Sequence, residues 1–224
     1  MRVIEPSFEF LHFPETSSAL AHLELAARTC YKSEDKIKEG SAEGLIGRIV
    51  RMGHESVLEH VGVSARITCD RGVSHELVRH RLCSFSQEST RYANYSRDKF
   101  GKEIVVIRPS FWAEGSDKYA LWVKAMEAAE RSYLELVEMG ASAQEARSIL
   151  PNSLKTEVVT TCNLREWRHI FKLRCAPASH PQMRQVALPM LAEFNKRLPL
   201  VFADLYAKFE EDITSFPEQA ALTE

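Results

Sequence analysis

A chain of 224 residues with 45 % hydrophobic and 27 % charged residues has the length and composition of one globular domain, with interior enough to need no disulfide or metal staple. Its formal charge of −2 argues against a protein whose main task is to coat nucleic acid or anionic membrane. The five cysteines are scattered without a Cys-x-x-Cys pair, and no apolar run approaches the ~18 residues of a membrane span, so reduced thiols and a cytoplasmic location are expected.

In chain order, Arg2–Glu5 and Phe8–Phe13 read as strands, followed by helices over Ser17–Tyr31 and Ala42–Met52, with Gly53 as the stop. The cleanest strand is Val61–Cys69, where Val61, Val63, Ala65, Ile67 and Cys69 alternate with smaller or polar residues. A short helix over Val73–His80 leads into an extended polar stretch to Lys102, then a strand over Ile104–Ile107. The longest helix spans Asp117–Met139 with an apolar stripe from Trp122 to Val137, and Gly140 ends it. Ser142 and Glu145 form a capping box that opens a helix through Leu150. A strand over Thr156–Thr161, a helix over Leu164–Arg174 and two helices over Gln182–Lys196 and Leu200–Phe209 complete the chain, with Pro189 as an expected kink. Strands and helices mix without βαβ alternation, which gives an α+β class and one domain over residues 1–224, with an acidic tail from about residue 210.

No Gly-x-Gly-x-x-Gly and no P-loop occur, so a nucleotide cofactor would have to be held some other way. His54 to His60 lacks the second His at the fourth position that a zinc-protease helix needs, and no metal site is expected. Positive charge concentrates at residues 71–102, where seven Lys/Arg face three acids, a balance suited to a small anionic ligand. Within it, extended backbone would turn Gln87, Ser89 and Arg91 to one side, an amide, a hydroxyl and a forked cation fit for phosphate and sugar. His75, Glu76 and Arg79 would share one face of the preceding helix.

Arg79-His80-Arg81, seven residues, then Ser89 resembles the signature of the flavin-dependent thymidylate synthases. The resemblance continues in order through His54-Glu55-Ser56 with Glu59-His60, Arg147 before Leu150-Pro151, Asn163-x-Arg165 and Leu173-Arg174, and spans about residues 20–205. It implies an antiparallel sheet flanked by helices and a homotetramer with active sites at subunit interfaces. The implied chemistry is methylation of dUMP to dTMP with FAD, NADPH and methylenetetrahydrofolate. By this resemblance, His54, Ser56, Arg79, His80, Arg81, Gln87, Asn163, Leu164, Arg165 and His169 contact FAD. Glu76, Leu77, Val78, Arg79, Gln87, Glu88, Ser89, Thr90, Arg91, Arg147 and Arg174 build the dUMP site, with Arg174 the catalytic position that favours ionisation at uracil N3. Four positions depart from the common pattern: Glu76 for Gln, Gln87 for Glu, His169 for Asn and Cys30 for Ser. An acid at 76 near a phosphate calls for Arg79 or His80 to neutralise it.

Simpler readings stand beside these. Ser56 with Glu59, and Asn163 with Glu166, are also helix caps. Arg165 and Arg168 oppose the macrodipole at a helix start, which makes better sense with an anion there. A single-stranded nucleic-acid module using Arg79, Arg81, Arg91 and Arg97 with Phe85, Tyr92 and Tyr95 is the chief rival, and a hydrolase with His80 as base is the second.

Overall fold

The computed structural model describes residues 1–215, so the last part of the expected tail lies outside the described residues. Among these residues, six strands form two sheets. β1 (Arg2–Ile4) pairs in parallel with β5 (Val105–Ile107), and β2 (Ser7–His12), β3 (Gly62–Asp70), β6 (Lys155–Asn163) and β4 (Ser84–Gln87) form an antiparallel sheet in the order β2-β3-β6-β4. The alternation seen in the sequence is realised in β3, where Val63, Ala65, Ile67 and Cys69 are fully buried. β3 and β6 pair along their whole length, from Gly62 opposite Asn163 to Asp70 opposite Lys155.

Helices α1 (Thr16–Thr29), α2 (Ser41–Arg51), α6 (Leu164–Arg174), α7 (Pro181–Arg197) and α8 (Pro199–Lys208) bury their apolar sides in the main core with this sheet. Phe194 is its hub, with ring centroids 5.0–5.3 Å from Phe10, Phe13, Trp167, Phe171 and Phe202. Pro189 sits inside α7, whose helical run nevertheless continues from Pro181 to Arg197. A second cluster fills the space under α4 (Asp117–Glu138), where Trp122, Met126 and Tyr133 meet Ile104, Val106 and Leu154. The expected tail begins as a helix, α9 (Glu210–Ser215), anchored by Arg184 to Asp212 at 2.6 Å.

Two boundaries shift for local reasons. The helix expected over Val73–His80 is α3 (Arg71–Leu77): it starts earlier because Asp70 Oδ1 accepts the Val73 N–H at 2.7 Å as N-cap. The helix expected through Leu150 is α5 (Ala143–Ala146), opened by the Ser142–Glu145 capping box and tightened into a 3-10 turn over Arg147–Ile149. Pro151 forces Leu150 into extended backbone and stops it there. Among the described residues no helix is long and apolar enough to cross a membrane.

Candidate active site

The Arg-His-Arg triplet lies on a turn, not on a helix face. α3 stops at Leu77, the His80 N–H donates to the Leu77 carbonyl, and the Cys83 N–H donates to the His80 carbonyl before β4 begins. The chain thereby turns His80 inward, 4 % exposed, and leaves Arg79 and Arg81 in solvent. The shared helical face expected for His75, Glu76 and Arg79 therefore does not form, because the helix ends before Arg79.

α6 supplies what His80 meets. The Arg174 Nε–H donates to His80 Nε2 at 3.0 Å, Nη1 to the Glu76 carboxylate at 2.7 Å, and Nη2 to the Glu76 carbonyl at 2.9 Å. A guanidinium has five N–H groups, so three are committed and two remain for a ligand. Accepting at Nε2 requires neutral His80, with its proton on Nδ1, which faces Glu166 at 3.4 Å. Burial first, then the charges of Arg174 and His169, lower the His80 pKa to about 4, which keeps it neutral. Burial likewise raises the Glu166 carboxyl above its ordinary value. Arg174, not Arg79 or His80, neutralises Glu76, a partner 98 positions along the chain. His80, Glu166 and His169 bring ligand atoms within 4.8 Å of one another, a spacing a divalent ion could bridge. The guanidinium already bonded to His80 Nε2 opposes a second cation there.

A second group of expected substrate residues gathers around the end of β4. Gln87 is partly buried, its amide donating to Ser74 Oγ at 2.9 Å and Thr156 Oγ1 at 3.2 Å. Extended backbone stops at Gln87, and the Ser89 carbonyl accepts from Tyr92 and Ala93, so Gln87, Ser89 and Arg91 do not line one strand face. Ser89 Oγ accepts the Arg91 N–H at 3.3 Å, and Arg91 Nε donates to Gln144 at 2.9 Å, which draws the turn to α5 beside exposed Arg147. No hydrogen bond among the described residues joins Ser89, Arg91 or Arg147 to Arg174. Glu88 turns to Tyr95 and Lys155, at 3.1 and 3.0 Å. Leu77, Leu164 and Thr90 are buried, so main-chain atoms are what they offer a ligand, while Val78 is exposed.

Of the expected flavin residues, His54, Ser56, Asn163, Arg165 and His169 line two clefts, whereas Arg79, His80, Arg81, Gln87 and Leu164 line neither. One, about 390 Å³, is walled by Cys30, His54, Ser56 and Arg165; the other, about 550 Å³, by Asn163, Arg165, Glu166 and His169. Glu55 and Arg165 belong to both walls. Ser56 lies within the 3-10 turn Glu55–His60 and caps nothing, so the cap reading fails for it. Asn163 does cap α6, accepting the Glu166 N–H at 2.9 Å. The anion-facing expectation separates two arginines: Arg165 borders both clefts and pairs with Glu59 at the surface, whereas Arg168 points inward. Arg168 is 2 % exposed and forks onto Asp204 at 2.7 Å through both terminal nitrogens, with further bonds to Glu55 and the Val201 carbonyl.

The nucleic-acid rival loses its stacking surface. Tyr95 is buried and Phe85 packs on the core, which leaves Tyr92, 76 % exposed, as the free ring of the three.

The fold is α+β, and its candidate site sets Arg174 against a buried neutral histidine and the Glu76 carboxylate. The sequence pattern of the family described as "Thymidylate synthase complementing protein" matches residues 14–200. The flavin-dependent thymidylate synthase of Geobacter sulfurreducens is 34 % identical over 200 residues, covering 86 % of this chain and 83 % of the relative. That of Mycobacterium tuberculosis is 32 % identical over 222 residues, covering 91 % and 86 %. A crystal structure of the UMP/dUMP methylase PolB from Streptomyces cacaoi, bound with 5-Br dUMP, superimposes with a TM-score of 0.74 at 25 % identity, covering 93 % of this chain and 98 % of that one. The chain belongs to the flavin-dependent thymidylate synthase family.

Proposed function

We propose that this chain methylates dUMP to dTMP, with FAD as bound cofactor and NADPH and methylenetetrahydrofolate as co-substrates, and that it works as a cytoplasmic homotetramer. The observation that carries the reading is Arg174, fixed at three points and left with two N–H groups to present. The names of the relatives and the nucleotide bound to the Streptomyces methylase support it.

The donor set fits FAD. Exposed Arg79 and Arg81 suit a diphosphate, and His54, Ser56, Asn163 and His169 give the two adjoining clefts polar atoms for ribose and ring edges. When bound, FAD supplies the hydride and one-carbon transfer that no side chain here offers. Arg165 can release Glu59 cheaply, since exposed ion pairs contribute about 0–1 kcal/mol.

Arg174 acts on the pyrimidine. Its free N–H groups meet the uracil edge and stabilise the anion formed by loss of the N3 proton, which makes C5 a better nucleophile. Neutral His80 and the Glu76 side chain and carbonyl hold the guanidinium in place without competing for those N–H groups. Ser89, Arg91 and Arg147 take the phosphate and sugar. Within one chain they make no hydrogen bond to Arg174, and the family resemblance supports active sites that lie between the subunits of the homotetramer.

Supplied with dUMP, FAD, NADPH and methylenetetrahydrofolate, the purified protein is expected to form dTMP and to show a yellow flavin band that dithionite bleaches. A protein that neither takes up flavin nor forms dTMP would refute the reading. Ser89→Ala should raise the KM for dUMP roughly tenfold, the loss of one hydrogen bond to a charged group, with kcat nearly unchanged. A complete block at saturating dUMP would instead make Ser89 a nucleophile.

A further inference from the structure

We propose that Cys83 and Cys162 form a reversible disulfide that ties the Arg-His-Arg turn to the end of β6. β4 runs antiparallel to β6 with Ser84 opposite Thr161 and Gln87 opposite Val158, so one step further the register sets Cys83 opposite Cys162. Both point to the core side: Phe85 and Thr160, the next pair on that face, are inward, while Ser84 and Thr161 are exposed. Directly opposed residues of antiparallel strands have Cα atoms ~4.5–5.5 Å apart, inside the ~4.4–6.8 Å that a disulfide spans. Both cysteines are free, and both pack on the main core.

Their surroundings divide the roles. Cys162 is buried, and the contact with the Cys83 thiol followed by burial raises its pKa, which keeps it protonated. Cys83 is half-buried at a turn next to exposed Leu82, which borders the cleft of Glu166 and His169, so an oxidant reaches Cys83 first. Hydrogen peroxide is the oxidant class the site calls for. The Cys83 sulfur attacks one peroxide oxygen, the O–O bond breaks, and water leaves a sulfenic acid. Cys162 sulfur then attacks the Cys83 sulfur, the S–O bond breaks, and the departing hydroxide takes the Cys162 proton as a second water. Two thiols lose two electrons and two protons, and one peroxide becomes two waters.

The crosslink would fasten the segment that carries His80 to the residue before Asn163, the cap of α6. It rests on strand register and not on the proposed reaction, so it can fail or hold independently of dTMP formation.

The test treats the full-length protein with dilute hydrogen peroxide, quenches in acid, alkylates the free thiols and maps the peptides. Oxidation of exposed Cys30 reports that the dose was sufficient. The peptides carrying Cys83 and Cys162 should appear joined, two hydrogens lighter than their sum, and should separate after dithiothreitol. Cys83→Ser should abolish that species and leave Cys162 alkylated. Recovery of Cys83 and Cys162 both alkylated at a dose that oxidises Cys30, or a bridge to any other cysteine, would overturn the proposal.

Discussion

Arg174→Ala is expected to lower kcat/KM for dUMP by roughly 10²–10³-fold while the protein keeps its fold and its flavin. That range is the usual cost of deleting one preorganised donor from a site where charge develops. The guanidinium reaches Glu76 twice and His80 once, so its removal leaves one carboxylate and one imidazole nitrogen without a partner at the pocket wall. Glu76 then adds an uncompensated negative charge near an anionic nucleotide, which raises KM beside the loss in kcat. Arg174→Lys should recover little, because an ammonium cannot hold three separated acceptors and still offer a flat pair of donors. Steady-state kinetics on the two variants, with the flavin absorbance as a check on loading, measure this directly. Turnover within a few-fold of the unaltered protein would remove Arg174 from the chemistry.

The second large effect is on stability. Arg168→Ala should cost about 3–5 kcal/mol, because breaking a buried ion pair leaves the remaining charges desolvated and unpaired. At 2–4 °C per kcal/mol for a chain of this size, the melting temperature would fall by roughly 10 °C. Arg168 bridges the 3-10 turn that carries Ser56, with His54 just before it, and helix α8, so the loss should also loosen the cleft proposed for the flavin. The pH dependence has a definite sign. Burial alone would raise the Glu55 and Asp204 carboxyls, but the bonds from Arg168, with Lys172 helping at Glu55, hold both below their ordinary values. Carboxyls lowered in the folded state stabilise it above their unfolded values of 4.5 and 3.8, and that stabilisation is lost as pH falls through the lower folded ones. The unaltered protein should therefore lose stability in acid more steeply than Arg168→Ala. Denaturation curves at several pH values decide it, and a cost under about 1 kcal/mol would contradict the structural role.

What could be read from the residues was mostly local. Helix α6 begins and ends where the sequence places it, because Asn163 caps it through a contact three residues away. β3 is legible for the same reason: four apolar positions, Val63, Ala65, Ile67 and Cys69, alternate over one continuous strand. The missed features depend on partners far along the chain. Arg165 and Arg168 look equivalent in a helix start, yet one meets Glu59 at the surface and the other finds Asp204 from α8. Nothing near Glu76 announces Arg174, and a strand pattern extrapolated past Gln87 overlooks the turn closed by the Ser89 carbonyl. The Arg-His-Arg spacing pointed to the family through its resemblance. The inward turn of His80 needed the packing of α6.

The central claim is that one pocket holds a pyrimidine nucleotide against a flavin under the control of Arg174. Titrating dUMP into the FAD-loaded protein and recording the flavin absorbance is the most direct test. A saturable change of the flavin band, weakened strongly in Arg174→Ala, is the expected result. Nucleotide binding that leaves the band unaltered at saturation would contradict it.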